Sequence, residues 1–237
     1  MTTLVGAEKA RFVRSMFDAI ARRYDLMNRL MTGGRDEAWR RLAADAVFPE
    51  AVDVALDVGA GTGDLSFALA RLAPRARVLA LDFSAEMLRR AERKSPGPDG
   101  ATIQWVRGDA TAMPFDNSSF AAATIAFGLR NLPDPEAGLR ELARVVRPGG
   151  RVVCLEITRP EHGALKGFYS LWFDRGIPAL GKVFDRRGAY SYLPASVRRF
   201  PGPEPLGEAF HRAGMTDVRY RLLAGGIVAL HVGEVIA

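Results

Sequence analysis

The residues best placed for chemistry lie in LDVGAGTGD, positions 56 to 64. Glycines at 59, 61 and 63 let the backbone turn tightly and let a ligand approach the main chain. A dinucleotide fingerprint would need a further glycine at position 64, and that residue is Asp64. An acid in the first turn of a helix opposes a pyrophosphate bound there. The spacing instead predicts a cofactor without phosphates, with Gly59 and Gly61 lining its site. S-adenosylmethionine is such a cofactor, and its cationic sulfonium and ammonium groups would be favoured by carboxylates such as Asp57 and Asp64. Asp82 closes the next apolar run, where a carboxylate can accept hydrogen bonds from a ribose diol. GDA at 108 to 110 follows a third run. There Asp109 could accept from an adenine amino group and Ala110 could donate through its backbone. Gly-Asp is also a common turn, so three motifs after three successive strands carry more than any one.

These motifs need a frame of alternating strands and helices. Residues 8 to 31 read as one helix, with Phe12, Met16, Ile20 and Tyr24 at spacing four. A second helix covers 36 to 47. Strands are expected at 52–58, 77–81, 103–106, 121–127 and 152–157, with helices at 65–72, 85–93 (capped by Ser84) and 135–146. A helix at 204–213 and strands at 216–222 and 226–235 finish the chain. Strands alternating with helices of this length predict an α/β fold whose mostly parallel sheet is covered on both faces. Residues 158 to 200 break the rhythm and hold eight of the 21 aromatics, so they read as an inserted cap. The expected organisation is a single domain over 1–237: a helical lid at 1–50, a cofactor-binding core at 51–157, the acceptor-site insertion at 158–200, and a closing helix and strands.

The 237 residues are 48% apolar and 25% charged, which excludes collagen-like and disordered classes. No apolar run approaches the ~18 residues of a membrane-spanning helix. The first residues lead into charged sequence, so no secretory leader is expected, and the cytosol is the expected compartment. Cys154 is the single cysteine and reads as core. His162, His211 and His231 lack metal-ligand spacing, so no metal is expected. The net charge is +6, and residues 140 to 200 carry twelve Lys/Arg against five Asp/Glu. That block suits an anionic partner, phospholipid or nucleic acid, although an Arg-rich solvated surface explains it equally well.

Further segments sharpen the reading. FDAIARRYDLMN at 17 to 28, FGLRN at 127 to 131, YSYLPASVRRFP at 190 to 201 and GGIVALHVG at 225 to 233 join the glycine loop. With them the chain resembles the ubiquinone/menaquinone biosynthesis C-methyltransferases, a branch of the class I S-adenosylmethionine-dependent methyltransferases, over nearly its whole length. The resemblance implies a Rossmann-like, seven-stranded sheet, with cofactor positions at Thr62, Asp82, Asp109 and Ala110. A serine expected just before FGLRN is Ala126 here, which leaves only backbone or apolar contact at that point. The resemblance also implies methyl transfer to a ring carbon of a polyprenylated quinol: demethylmenaquinol, or a methoxybenzoquinol of ubiquinone synthesis.

Methylating carbon requires an electron-rich ring, so a quinol hydroxyl should lose its proton as the ring attacks. Arg130 and Asn131 lie just past the fourth strand, where ligands bind in open α/β sheets. A guanidinium stays protonated and cannot be the base. Arg130 is therefore expected to stabilise the developing oxyanion, the alternative being a surface salt bridge to Asp134 or Glu136. Glu156 either orients an acceptor hydroxyl or forms a structural ion pair. Tyr24, Asp25 and Asn28 are expected to line or close the pocket, the apolar face around them being ordinary packing. In the insertion, Phe168, Tyr169, Trp172 and Phe173 form an aromatic face for the quinone or for the core, and Tyr190 and Tyr192 offer phenols to a ring hydroxyl. The insertion's arginines would hold the protein on anionic lipid at the inner face of the cytoplasmic membrane. A homo-oligomer is compatible with the sequence. Competing readings are another small-molecule methyltransferase of the same fold, an RNA methyltransferase, and a silent cofactor-binding protein. No nucleic acid is expected, because FGLRNLP stands where an Asn/Asp-Pro-Pro-aromatic signature would mark amino-group methylation.

Overall fold

In a computed structural model, residues 6–47, 52–94, 102–160, 176 and 189–236 are described. Seven strands form one sheet: β1 (Val54–Val58), β2 (Arg77–Asp82), β3 (Ile103–Arg107), β4 (Phe120–Ala126), β5 (Val146–Ile157), β6 (Met215–Leu223) and β7 (Val228–Val235). Their order is β3-β2-β1-β4-β5-β7-β6, and only β7 runs antiparallel to its neighbours. The expected mostly parallel, Rossmann-like α/β sheet is the one observed. Strand order reverses between β1 and β4, which is the switch point where ligands bind in such sheets.

Successive side chains along each strand leave on opposite faces. Ala123, Val152 and Cys154 therefore pack with Leu139 and Leu142 of α6 (Pro135–Val145) and with Leu206 and Phe210 of α8 (Pro203–Arg212). Their neighbours Ala122, Val153 and Leu155 pack on the other face, against Ala43 and Ala44 of α3 (Asp36–Val47) and Leu65 and Leu69 of α4 (Asp64–Leu72). Two apolar layers thus clamp the sheet and fix the strand ends that carry the motifs.

Three elements differ from expectation. The helix expected over 8–31 is interrupted: α1 (Gly6–Ile20) passes through a 3₁₀ turn, Ala21–Arg23, into α2 (Tyr24–Thr32). The break bends the segment around the cleft. Strand β5 starts six residues early, at Val146 rather than Val152, because Val146 pairs with Phe120 before a register shift. Gly150 is required there, since a Cβ would lie 2.5 Å from the Ala121 carbonyl oxygen. Part of the expected cap, Ala189–Arg199, is a helix, α7, with Pro194 inside it. Ser84 caps α5 (Ala85–Arg93) as expected, accepting from Met87 N–H at 3.1 Å.

Candidate active site

The glycine loop follows β1 and opens α4. Gly59, Gly61 and Gly63 have φ of +66°, +57° and +87°, the left-handed region that favours glycine. A Cβ on Gly63 would lie 2.6 Å from Trp105, so that glycine serves packing. A Cβ on Gly61 would meet only the Gly59 carbonyl oxygen, at 4.0 Å, so its exposed face belongs to the cleft. Gly59 comes within reach of Gly128 at the end of β4, which brings the two switch-point loops together.

Gly59, Gly61, Asp82, Ala110, Ala126 and Asn131 all line one cleft. None of the described residues lining it is Lys or Arg, while Leu81, Phe83 and Met87 give it an apolar wall. That surface fits an adenosyl group without phosphates and does not fit a pyrophosphate. Asp82 is buried and accepts from Gly61 N–H and Ser84 N–H, both at 2.8 Å, with no cation bonded to it among the described residues. Burial pushes its carboxyl up to about 6. Two bonds leave a carboxylate with further acceptor capacity, which a ribose diol can use.

The other cofactor-side residues are placed differently. Asp57 is fully buried, accepting from Ser66 at 2.6 Å and Thr124 at 3.0 Å, and Asp64 pairs with Lys94 at 2.7 Å. Neither lines the cleft, so the expectation that they face a cationic centre is corrected: β1 directs Asp57 into the core. Thr62 donates to Asp25 of α2 at 2.6 Å. Asp109 accepts from the N–H and hydroxyl of Thr111, at 2.8 and 2.7 Å, while its neighbour Ala110 forms the wall.

At the end of β4 the chain turns sharply. Phe127 has φ of +55°, a strained conformation for an aromatic residue. Its carbonyl accepts from the Arg130 guanidinium at 2.6 Å and the Asn131 amide at 3.1 Å, and its ring faces the Arg40 guanidinium. Arg130 is buried and paired with Glu156, whose carboxylate also accepts from Arg130 N–H and Ile157 N–H. The pairing to Asp134 or Glu136 considered above is not the one formed: Asp134 caps α6, and Glu136 pairs with Arg212. Of the two readings for Glu156, the ion pair is the one observed. Lys9 of α1 donates to the Arg130 and Leu132 carbonyls. The side-chain oxygen of Asn131 and the Tyr192 hydroxyl are buried without partners among the described residues. Tyr192 packs on Phe12 at 5.7 Å between ring centroids. The side chain of Tyr190, and Phe168, Tyr169, Trp172 and Phe173, lie outside the described residues.

The N-terminal helices bring Tyr24 to the cleft as expected, and add Phe17 and Asp18, which the sequence reading passed over. Phe17 and Tyr24 line the cleft, with rings 5.9 Å apart. Asp18 accepts from Ser84 at 2.5 Å, and Asp25 from Thr62 and Lys94. A signal for this was present: Phe17-Asp18 and Tyr24-Asp25 repeat an aromatic-acid pair at spacing seven, two helical turns.

A family model, the ubiE/COQ5 methyltransferase family, matches residues 3–235. Among curated relatives, a demethylmenaquinone methyltransferase of Thermus thermophilus is 46% identical, covering 92% of this chain and 99% of its own length. Another, of Desulfitobacterium hafniense, is 41% identical over 97% and 92%. A ubiquinone/menaquinone biosynthesis C-methyltransferase UbiE of Desulfotalea psychrophila is 42% identical over 93% and 89%. Among solved structures, a SAM-dependent methyltransferase of Thermotoga maritima superposes with TM-score 0.64 at 17% identity, covering 94% of this chain and 99% of its own. Human N-acetylserotonin methyltransferase in complex with SAM gives 0.63 at 18%, covering 94% and 59%.

Proposed function

The chain belongs to the ubiE/COQ5 methyltransferase family, and from that premise we propose how its cleft methylates a quinol. It is an S-adenosylmethionine-dependent C-methyltransferase of quinone biosynthesis. The acceptor proposed is demethylmenaquinol, the substrate class in the names of the Thermus and Desulfitobacterium relatives.

Gly59, Gly61 and the Ala110 backbone would hold the cofactor, with Asp82 on its ribose; bound there, it supplies an electrophilic methyl group. The observation that carries the acceptor side is Asn131. This residue lines the cleft, and its side-chain oxygen is buried with no partner among the described residues, an acceptor that a small rotation would offer to a quinol hydroxyl. As that hydroxyl loses its proton to water, negative charge grows on the ring oxygen. The Arg130 guanidinium, buried behind the same turn rather than in the cleft wall, favours that charge through its field in a site shielded from bulk water. Glu156, which holds Arg130, and Tyr192, which packs on Phe12, support that side from behind the cleft wall. Phe17 and Tyr24, on helices latched by Asp18 and Asp25, act as a lid that keeps water from the reacting carbon. A polyprenylated acceptor resides in a bilayer, so the enzyme works in peripheral contact with the membrane at its cytoplasmic face. Among the described residues no helix is long and apolar enough to cross a membrane.

The test is methyl transfer to demethylmenaquinol and to the methoxybenzoquinol side by side, with product analysis locating the new carbon–carbon bond. Faster C-methylation of the naphthoquinol is expected. Preference for the benzoquinol overturns the acceptor assignment, and transfer to neither overturns the quinol reading.

A further inference from the structure

The helix that brings Tyr24 to the cleft carries an unusual outer face. On α2, Tyr24, Met27 and Asn28 turn inward while Leu26 and Leu30, one turn apart, are 55% and 50% exposed. Arg22 and Arg29 fall on the same side. Arg29 also lines a groove between α2–α3 and α4, whose far wall ends in Arg71 and Leu72, the latter 47% exposed. Acidic residues in the groove are already paired: Glu37 with Arg41, Asp36 with Arg40, and Asp64 with Lys94. Residues 21 to 35 hold four arginines against one acid, and residues 71 to 77 hold three and none. Asp25, that one acid, is bonded to Lys94 and Thr62. Exposed leucines ringed by arginines form a surface that is apolar at its centre and cationic at its rim. That chemistry matches an anionic bilayer, whose headgroups take the guanidiniums while the leucines enter the acyl boundary.

We propose that the outer face of α2, with Leu72 and Arg71 of α4, is the surface that docks this enzyme on anionic membrane. The placement rests on the quinol reading above and deepens it: the docked helix is itself part of the cleft wall, so docking sets the mouth of the cleft beside the lipid that holds the acceptor. The basic insertion is then not the principal anchor.

The experiment is co-sedimentation of the full chain with phosphatidylcholine vesicles, with and without phosphatidylglycerol. Retention is expected on the anionic vesicles only, and should decline with salt. Leu26→Ser with Leu30→Ser should lower retention about tenfold, as two half-exposed leucines lose part of their transfer free energy. Arg29→Gln and Arg71→Gln should each lower it about fivefold at low salt. All four side chains are on the outside, so melting temperature and methylation of a short-tailed, soluble quinol should stay at wild-type values. Equal retention on neutral vesicles, or none at low salt, overturns the proposal. So does loss of retention in Arg186→Gln with Arg187→Gln while the leucine variants bind normally. A change of oligomeric state in the leucine variants, with retention unaltered, assigns the face to a second copy and also overturns it. Failure of wild-type enzyme on the soluble quinol strikes the quinol reading alone, since vesicle retention is read independently.

Discussion

Asp82 and Glu156 stand at the carboxyl ends of two parallel strands, on the same edge of the sheet, and both are buried. Among the described residues Asp82 accepts from backbone N–H groups alone, and it lines the cleft. Glu156 is bonded to a guanidinium and to two backbone N–H groups. The first carboxylate keeps acceptor capacity for a ligand; the second is committed to holding Arg130. One side of the cleft is a backbone cradle with a free acceptor. The other is a side-chain network that keeps the Phe127–Asn131 turn in a strained shape, with Lys9 fastening it from α1. Substitutions on the network side should therefore cost stability and turnover together, while those on the cradle side should cost cofactor affinity alone.

The largest effect is expected from splitting the buried pair. Glu156→Ala leaves the Arg130 charge uncompensated and should cost about 3–5 kcal/mol of stability. Arg130→Met with Glu156→Leu should recover most of that loss in a denaturant melt. Single-turnover methyl transfer in the double variant should still be down about 10²–10³-fold, the cost of losing an oxyanion stabiliser. Turnover near wild type in the double variant would reduce Arg130 to a fold-holding residue. On the cradle side, Gly61→Val forces a branched residue to a φ of +57° and points its side chain into the cleft. Strain of about 1–3 kcal/mol should accompany loss of calorimetrically detectable cofactor binding. Normal binding in that variant would remove the cradle from the comparison.

The same contrast explains what could be read from sequence. Glycines at fixed spacing after an apolar run, and Asp82 at the next strand end, are local patterns with one backbone solution. The sheet, its helices and the gathering of Gly59, Gly61, Asp82 and Ala110 at one cleft were therefore legible. The partner of Arg130 is 26 residues away, and Lys9 reaches its carbonyls across more than 120 residues. Nothing in FGLRN distinguishes Glu156 from Asp134 or Glu136 as its counter-ion. Asp57 was misplaced for a related reason: alternation along β1 says that it leaves one face, but not that Ser66 and Thr124 wait there. The break at Ala21–Arg23 was hidden because Phe12, Met16, Ile20 and Tyr24 keep helical spacing through it.

Acidity separates the cradle's carboxylate from a buried one beside it. Burial raises Asp82 and Asp57 alike, each to about 6 from 3.8. Between pH 4 and 6 these two groups then hold more protons in the folded chain than in the unfolded one. Their contribution to stability should thus rise as pH falls through that window, and the full cost of both charges applies above pH 6. Cofactor affinity should move the opposite way, falling below pH 6 as Asp82 takes up a proton and loses acceptor capacity. Asp82→Asn should lower affinity about tenfold at pH 7.5 and flatten its pH profile. Asp57→Asn should leave that profile in place and reduce only the slope of stability against pH. Calorimetric titrations across pH, beside thermal melts, decide it; a flat wild-type affinity profile would take the ribose contact away from Asp82.

The smallest effect tests whether the N-terminal helices belong to the cradle or to the network. Asp25 accepts from Thr62 at 2.6 Å and from Lys94 at 2.8 Å, but its side chain is 37% exposed. Solvent screening limits such a pair to about 0.2–1 kcal/mol. Asp25→Asn keeps the shape and removes the charge, so melting temperature should hardly move. If the helices are a latch over bound cofactor, the missing attraction should appear as faster release, about two- to fivefold at low salt, with the single-turnover rate unchanged. Raising the salt should bring wild type toward the variant, because the wild-type pair is screened while the variant has none to lose. Stopped-flow displacement of cofactor at two ionic strengths reads this directly. A tenfold fall in the methyl-transfer step, with release unaltered, would instead join Asp25 to the side-chain network across the cleft, and the division between the two sides would have to be redrawn through α2.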